Sequence, residues 1–394
     1  MPGDSCPMNA VANGASAPMV SFVVPCYKLA HFLTDCVQSI LSQTFEDFEI
    51  LIMDDCSPDN TSQVAHSLRD SRVHYIRNEK NLGNLRNYNK GIGLSHGKYV
   101  WLISADDRLR SDRILERYLG VMEPHPEVGY CFCAGIGLVD DKETSVLQAY
   151  YYGDRDTIFD GRIFLTRLLD GRGILSPSVM VRRECYEKVS MFPLDLPHQG
   201  DMYVWCKWAL RYDVAYFAEP MVNYRLHAAS LMAVMKRKSP EVMIHDEFEV
   251  LWPTKWEATA LGYHALADRC DSFIAAKYVQ YLASLLYPDK RVACVLTMAE
   301  CEDSIRRYAR SARERKRVRA RVYAGLGDEH YWHGDYHHAL DCYARALAED
   351  PRLPKIWLKR ILVLSGSVGA GLRQSAFAIR RRLGTQRGSE RRAG

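Results

Sequence analysis

The stretch Phe48-Glu-Ile-Leu-Ile-Met-Asp-Asp-Cys-Ser-Pro-Asp59 is a short apolar run that ends abruptly in two adjacent acids. An apolar run of that length closed by turn residues reads as a buried strand. Working upstream, Val20-Ser-Phe-Val-Val-Pro25 is a second such run, stopped by proline. Between them, His31 to Gln43 places Phe32, Leu33, Cys36, Val37, Ile40 and Leu41 on one helical face. Downstream, Asp59 to Ser67 reads as helix, Val73-His-Tyr-Ile76 as strand and Asn84 to Ser95 as helix. Tyr99-Val-Trp-Leu-Ile103 is a fourth strand, and it too runs into acid, Ser104-Ala-Asp106-Asp107. Strand and helix in strict alternation predict an α/β fold, a mainly parallel sheet with helices on both faces. Such sheets bind ligands beyond the carboxyl ends of their strands, which is where both acid pairs fall.

Two carboxylates crowded after an apolar strand repel unless a cation or hydrogen-bond donors offset the charge. Hard oxygen ligands of this kind suit Mg²⁺ or Mn²⁺, which commonly hold substrate phosphates as well. The same acids could instead cap the helices that follow, a reading open above all for Asp59 before Asn60 and Thr61. A further acid lies in Gln199-Gly-Asp201-Met-Tyr-Val-Trp205, at the opening of an aromatic-rich helix. Asp201 could be that helix's N-cap or a general base held by its rigid start.

The order of the segments carries a resemblance. Val20 through Tyr27, Ser39-Ile-Leu-Ser-Gln-Thr-Phe45, Ile52-Met-Asp-Asp-Cys-Ser57 and Asn78-Glu-Lys-Asn-Leu-Gly83 follow one another as in glycosyltransferase family 2. Gly97-Lys-Tyr-Val-Trp101, Ala105-Asp-Asp107, Val181-Arg-Arg-Glu184, Gly200-Asp201 and Tyr224-Arg-Leu-His227-Ala-Ala-Ser230 continue in register, over roughly residues 19–232. The resemblance implies a GT-A fold, the nucleotide-diphospho-sugar transferase fold, followed here by an α-helical C-terminal region. It implies a nucleotide-sugar donor contacted by Pro25, Tyr27, Asp54, Asp55, Arg86, Asp106 and Arg225, a divalent cation (Mn²⁺ or Mg²⁺) on Asp107 and His227, and Asp201 as the catalytic base. In detail, Tyr27 would lie along the base, Asp55 would contact it with Asp54 supporting the loop, and Asp106 would sit near the ribose. Three positions depart from the family pattern: Ser104 stands where an acid is usual, Gly200 where a glutamate is, and the donor arginine is displaced to Arg86.

That function is also coherent from the residues alone. A sugar diphosphate needs its leaving group stabilised, which a divalent cation supplies, and an acceptor hydroxyl needs a carboxylate to take its proton. In-line attack with one base inverts the anomeric centre. The expected activity is transfer from a nucleotide-diphosphate sugar, a UDP-sugar foremost, to a glycan or glycolipid hydroxyl in bacterial cell-surface polysaccharide or glycolipid synthesis. The rival reading is a non-catalytic sugar-nucleotide-binding or scaffold protein that docks partners through its helical tail. A nucleotidyltransferase would call for a glycine-rich phosphate loop near the first strand, and Pro25-Cys-Tyr-Lys-Leu29 supplies none.

The 394 residues divide into a flexible leader (1–18), the glycosyltransferase domain (19–235), a helical region (236–319), a tetratricopeptide-like hairpin (320–353) and a basic tail (354–394). The hairpin rests on Tyr323, Gly327, Gly334-Asp-Tyr336, Ala339, Tyr343 and Ala346-Leu347 at the spacing of a 34-residue repeat. Its small residues would let two helices approach, either to brace the catalytic domain or to dock a protein partner. From Lys355 to Gly394 there are ten Lys or Arg against Glu390 alone, so the chain's formal +4 divides into +9 on the tail and −5 on the rest. With Ile361-Leu-Val-Leu364 and Phe377 to Arg382, such a tail suits an anionic membrane surface. Twelve cysteines without C-x-x-C spacing read as reduced small hydrophobes. The expected location is the cytoplasm, peripheral on the inner face of the membrane. Nothing calls for nucleic acid.

Overall fold

A computed structural model describes residues 17–227, 240–287 and 295–364. The chain forms two compact units that meet in sequence between Val234 and Met235. In the first, β1 (Val20–Cys26), α1 (Ala30–Leu41), β2 (Phe48–Asp54), α2 (Thr61–Ser67), β3 (Val73–Arg77), α3 (Asn84–Leu94) and β4 (Tyr99–Leu102) alternate as the apolar pattern predicts. Strands β1 and β2 are buried almost throughout because helices cover both faces, so their side chains are apolar on both sides. Helix α1 stops at Leu41, two residues short of the predicted end. The Gln43 side chain leaves the helical path and donates to the Ser111 carbonyl at 2.7 Å.

Beyond β4 the chain adds β5 (Arg108–Leu109), α4 (Ile114–Met122), β6 (Val128–Val139), β7 (Lys142–Val146) and β8 (Thr157–Phe159). Then come α5 (Gly161–Leu169), β9 (Met180–Arg182), α6 (Arg183–Lys188), α7 (Gly200–Ala209) and β10 (Asp213–Arg225). All ten strands join one sheet in the order β3-β2-β1-β4-β9-β6-β10-β5, with β7 beside β6 and β8 beside β10. Strands β1 to β4 run parallel. Strand β9 is antiparallel to both β4 and β6, and β10 is parallel to β6. Two reversals cancel, so β6 and β10 point the same way as β1 to β4. The carboxyl ends of six strands therefore share one edge, and that edge carries every acid pair the sequence singles out after a strand.

The second unit is helical: α8 (Pro240–Ala260), α9 (His264–Leu286), α10 (Met298–Tyr308), α11 (Ala312–Trp332), α12 (Tyr336–Glu349) and α13 (Pro354–Leu364). Helix α11 begins eight residues before Ala320, because Ser311 caps it by accepting from the Glu314 N–H. Helices α11 and α12 close tightly at Gly327, where a Cβ would lie 2.5 Å from the Tyr343 ring. The first residues of the predicted tail are α13, with Ile356 and Val363 packed beside Tyr323 and Tyr343. Lys255, Asp271, Glu314, Arg317 and Arg321 form a largely buried ionic cluster that ties α8, α9 and α11. No described helix is long and apolar enough to cross a membrane. Residues 1–16, Ala228 to Ser230 and the Phe377 to Arg382 stretch lie outside the described residues.

Helix α3 tests the packing on β1 and β2. A Cβ at Gly91 would meet Val23 Cγ1 at 2.5 Å and Met53 Cγ at 2.9 Å, whereas one at Gly93 would meet nothing. In open space Gly→Ala in a helix gains about 0.5–1 kcal/mol, while overpacking a core costs about 1–3 kcal/mol. Gly93→Ala should therefore raise the urea midpoint and Gly91→Ala lower it. Equal shifts from the two substitutions would contradict this account of the α3 interface.

Candidate active site

Three loops leave the shared strand edge and each is held by a carboxylate. Asp54, fully buried at the end of β2, accepts from the Ser57 N–H at 2.8 Å, the Tyr75 hydroxyl at 2.6 Å and Arg77 at 2.7 Å. Asp55 accepts from the Asn78 amide at 2.9 Å and the Leu82 and Gly83 N–H groups at 2.7 and 2.9 Å. It thereby fixes the 78–83 loop, whose Asn78 also meets Lys90 and Asn87. Asp59 is not the cap of α2, which is Asn60; it bridges the starts of α1 and α2 by accepting from Ala30 and Thr61.

The third loop holds the second acid pair. Asp107 is buried, and its Oδ1 accepts from the Arg225 backbone N–H at 2.9 Å. Burial, followed by the neighbouring Asp106 charge, pushes the Asp107 carboxyl well above the ordinary carboxylate range. Asp106 is half-buried, and its Oδ2 pairs with His227 Nε2 at 2.9 Å. The Arg225 guanidinium donates to the Asp106 carbonyl at 2.8 Å and to Asp35 on α1 at 2.8 Å, and also pairs with Asp141. It lies 4.3 Å from the centre of the Phe32 ring. Asp140 and Asp141 form the tight turn after β6, both at positive φ, so they bring a further acid to the same edge.

Asp201 enters from another direction. The N-cap of α7 is Gln199, so Asp201 is not that cap; it sits in the first turn and accepts from the Ser176 hydroxyl. Burial lifts its carboxyl above the usual value, and the Ser176 bond opposes the rise. Tyr88 and Tyr224 join it to the acid pair: burial raises both phenols, and the charges of Asp106, Asp107 and Asp201 raise both further. The charges of all three acids therefore reach the same two tyrosines.

Of the sequence-derived set, Asp106, Asp107, Asp201, Arg225 and His227 come together. Tyr27 stands exposed just beyond β1, with Lys28 5.0 Å from its ring centre, a free aromatic face at the strand edge. Pro25 is buried within β1, where its carbonyl accepts from the Ala105 N–H at 3.2 Å; it braces the acid loop. Arg86 is exposed on α3 and has no hydrogen-bond or ion-pair partner among the described residues. The reading missed Asp35, Phe32, Tyr88 and Ser176. Only Asp35 left a signal, as a charge within an otherwise apolar helix pattern. Asp107 and His227 do not form a closed protein cage: among the described residues, the trio of His, Cys, Asp or Glu ligand atoms within 4.8 Å of one another lies in the second unit.

Residues 21–189 match the family described as glycosyl transferase family 2. An uncharacterized glycosyltransferase of Rickettsia typhi is 26% identical over 315 residues, covering 74% of this chain and 92% of that one. TuaG of Bacillus subtilis, a glycosyltransferase assigned to teichuronic acid biosynthesis, is 30% identical over 142 residues, 35% of this chain and 56% of its own. Residues 1–349 of Staphylococcus aureus TarS, solved in complex with UDP-GlcNAc, superpose with a TM-score of 0.57 at 18% identity. That superposition covers 84% of this chain and 92% of the TarS fragment.

The Asp55 geometry carries its own expectation. Asp55→Asn replaces one of the two carboxylate oxygens that receive three N–H donors with an NH₂ group, so at least one buried bond is lost. Leaving a buried donor unpaired costs about 1–3 kcal/mol, and chemical denaturation should show a loss of that size. An unchanged midpoint would mean that the 78–83 loop is held by something else.

Proposed function

We propose that this chain, a member of glycosyltransferase family 2 and a nucleotide-sugar glycosyltransferase, moves the sugar of a UDP-sugar to an acceptor hydroxyl with inversion at the anomeric carbon. The observation that carries the reading is the convergence of Asp106, Asp107 and Asp201 around Tyr88 and Tyr224 at the shared strand edge. The UDP-GlcNAc bound by TarS, which has the same fold, supports the choice of UDP.

Asp107 and its surroundings fit a divalent cation. A buried carboxylate beside a second one, held by a single backbone N–H, leaves negative charge that a cation would offset. Mg²⁺ and Mn²⁺ are often held by one or two carboxylates together with substrate phosphates, so the open arrangement at Asp107 suits them. His227, paired with Asp106, is the imidazole proposed to join the cation's ligands. When bound, the cation would neutralise charge developing on the departing diphosphate. Tyr27 offers its exposed ring to the base, and Asp54 and Asp55 keep the loops beneath it in place. Arg225 and the exposed Arg86 are the cations proposed for the donor phosphates.

Asp201 is the proposed general base. Its raised pKa makes it a stronger proton acceptor than an ordinary aspartate, and the Ser176 bond aims one oxygen. The acceptor is proposed to be a growing surface polysaccharide or glycolipid, in line with the TuaG likeness. A lipid-side contact has support in α13, where Trp357, Leu358, Ile361 and Leu364 are exposed among Lys355, Lys359 and Arg360; sedimentation with anionic liposomes reads it. The concave face lined by Arg321, Trp332, Lys355 and Lys359 is the alternative, a protein-docking surface. A non-catalytic sugar-nucleotide binder would not need Asp201 at all.

One experiment with two arms tests the assignment. Asp201→Asn should fold normally, bind UDP with Mn²⁺ like the parent, and lose about 10²–10⁴-fold in transfer rate, the range of general-base assistance. Asp107→Ala should lose the Mn²⁺-dependent part of UDP binding in calorimetry. Near-normal turnover of the first, or intact metal enhancement in the second, refutes the corresponding role.

The pH profile supplies a check with a definite sign. A general base works deprotonated, and the folded pKa of Asp201 is raised, so the acid limb of the rate should lie above the range of an ordinary aspartate. Ser176→Ala removes a bond that favours the charged form and should move that limb to still higher pH. A limb that stays put or moves down contradicts the pairing.

A further inference from the structure

The second unit holds a constellation that sugar transfer leaves unused. His330 lies near the end of α11, Gly334 turns the chain at positive φ, Asp335 is the N-cap of α12, and His338 occupies the first turn of that helix. Their ligand atoms all lie within 4.8 Å of one another. Both Nδ1 atoms converge on one oxygen, Asp335 Oδ2, at 3.4 Å from His330 and 2.7 Å from His338. We propose that His330, Asp335 and His338 bind a divalent transition metal ion, with Zn²⁺ the best match to the donor set.

Geometry and chemistry both favour this. Zn²⁺ binds imidazole nitrogen and carboxylate oxygen at about 2.0–2.2 Å, so ligand atoms of a tetrahedral site stand about 3.3–3.6 Å apart. The His330 to Asp335 separation already has that value. His338 must recede by about 0.6 Å to reach the same spacing, and its side chain, 64% exposed, is free to do so. Burial lowers the His330 pKa and so favours the neutral imidazole, the form that ligates. The Tyr287 hydroxyl hydrogen-bonds His330 Nδ1 at 2.7 Å and holds that ring in place, and it must give up the nitrogen when the metal binds.

Helix capping alone accounts for less. Asp335 caps α12 through Oδ1, which accepts from the His338 N–H at 3.3 Å. Capping does not involve the second imidazole, which comes from the preceding helix and brings its Nδ1 to within 3.4 Å of the other oxygen. Two nitrogen donors also set the site apart from the strand-edge acids, whose oxygens suit harder ions. Bound there, the metal would join α11 to α12 across the Gly334 turn.

Zn²⁺ titration of the full-length, chelator-stripped protein by calorimetry, with elemental analysis of the bound metal, tests the proposal. The parent protein should take up one equivalent at this site, and Asp107→Ala should take it up equally, which separates the site from the donor cation. His338→Ala, an exposed change, should weaken uptake at least tenfold. Asp335→Asn retains a good capping residue and should weaken it similarly, with parent-like circular dichroism in both. No uptake by the parent, or undiminished uptake by His338→Ala, overturns the proposal.

Discussion

A carboxylate taken out of water must be met by dipoles or by opposite charge, and Asp107 is met by the backbone N–H of Arg225, 118 residues further along the chain. That one bond closes the first unit on itself. It joins the loop after β4 to the end of β10, across a sheet in which β9 and β6 lie between. Because the donor is a main-chain group, its position depends on β10 being in register with β6, and β6 with β9. The site is thus a product of the whole sheet. Asp54 and Asp55 do the corresponding task on the other side of β1, each spending its lone pairs on the chain's own donors.

How much of this could be read from the residues depends on what each element buries. Strands β1, β2 and β4 are short apolar runs buried almost throughout, and such runs announce themselves; β3, at the sheet edge, is only partly covered. Strand β6 is as apolar, yet Gly129, Gly135 and Gly137 interrupt it, and glycine in a strand weakens the pattern. Those glycines admit neighbours instead: a Cβ at Gly135 would meet Leu175 at 2.1 Å. Strand β10 contains Glu219-Pro220, a bulge in the pairing with β6, and so does not read as one element. The acid pairs were legible because carboxylates after strands are costly. Their partners were not, since nothing local says that Asp35 would face Arg225 or that Ser176 would face Asp201.

The helical unit shows the same division. Composition marked residues 236–319 as helical and the repeat spacing singled out Gly327, but neither gave the helix bounds or the buried charges. Lys255 and Asp271 are 2.6 Å apart and almost inaccessible. Burying a pair like this is costly unless further charges join it, and Arg317, Arg321 and Glu314 do. Each of those residues alone looks like an ordinary solvated helix position, so only the fold reveals that they share an interior.

The Arg225 side chain is tethered unevenly. One of its bonds goes to a backbone carbonyl, while its two carboxylate partners come from a helix surface and from Asp141, which is 75% exposed. Bonds to exposed carboxylates are weakened by dissolved salt far more than a bond sheltered in the fold. In the role proposed for Arg225, a donor diphosphate would compete for the guanidinium on favourable terms, since it would replace partners that water already solvates well. On that proposal the ionic composition of the medium becomes a hidden variable of the site: it would set how much of this cation is on offer before any substrate arrives.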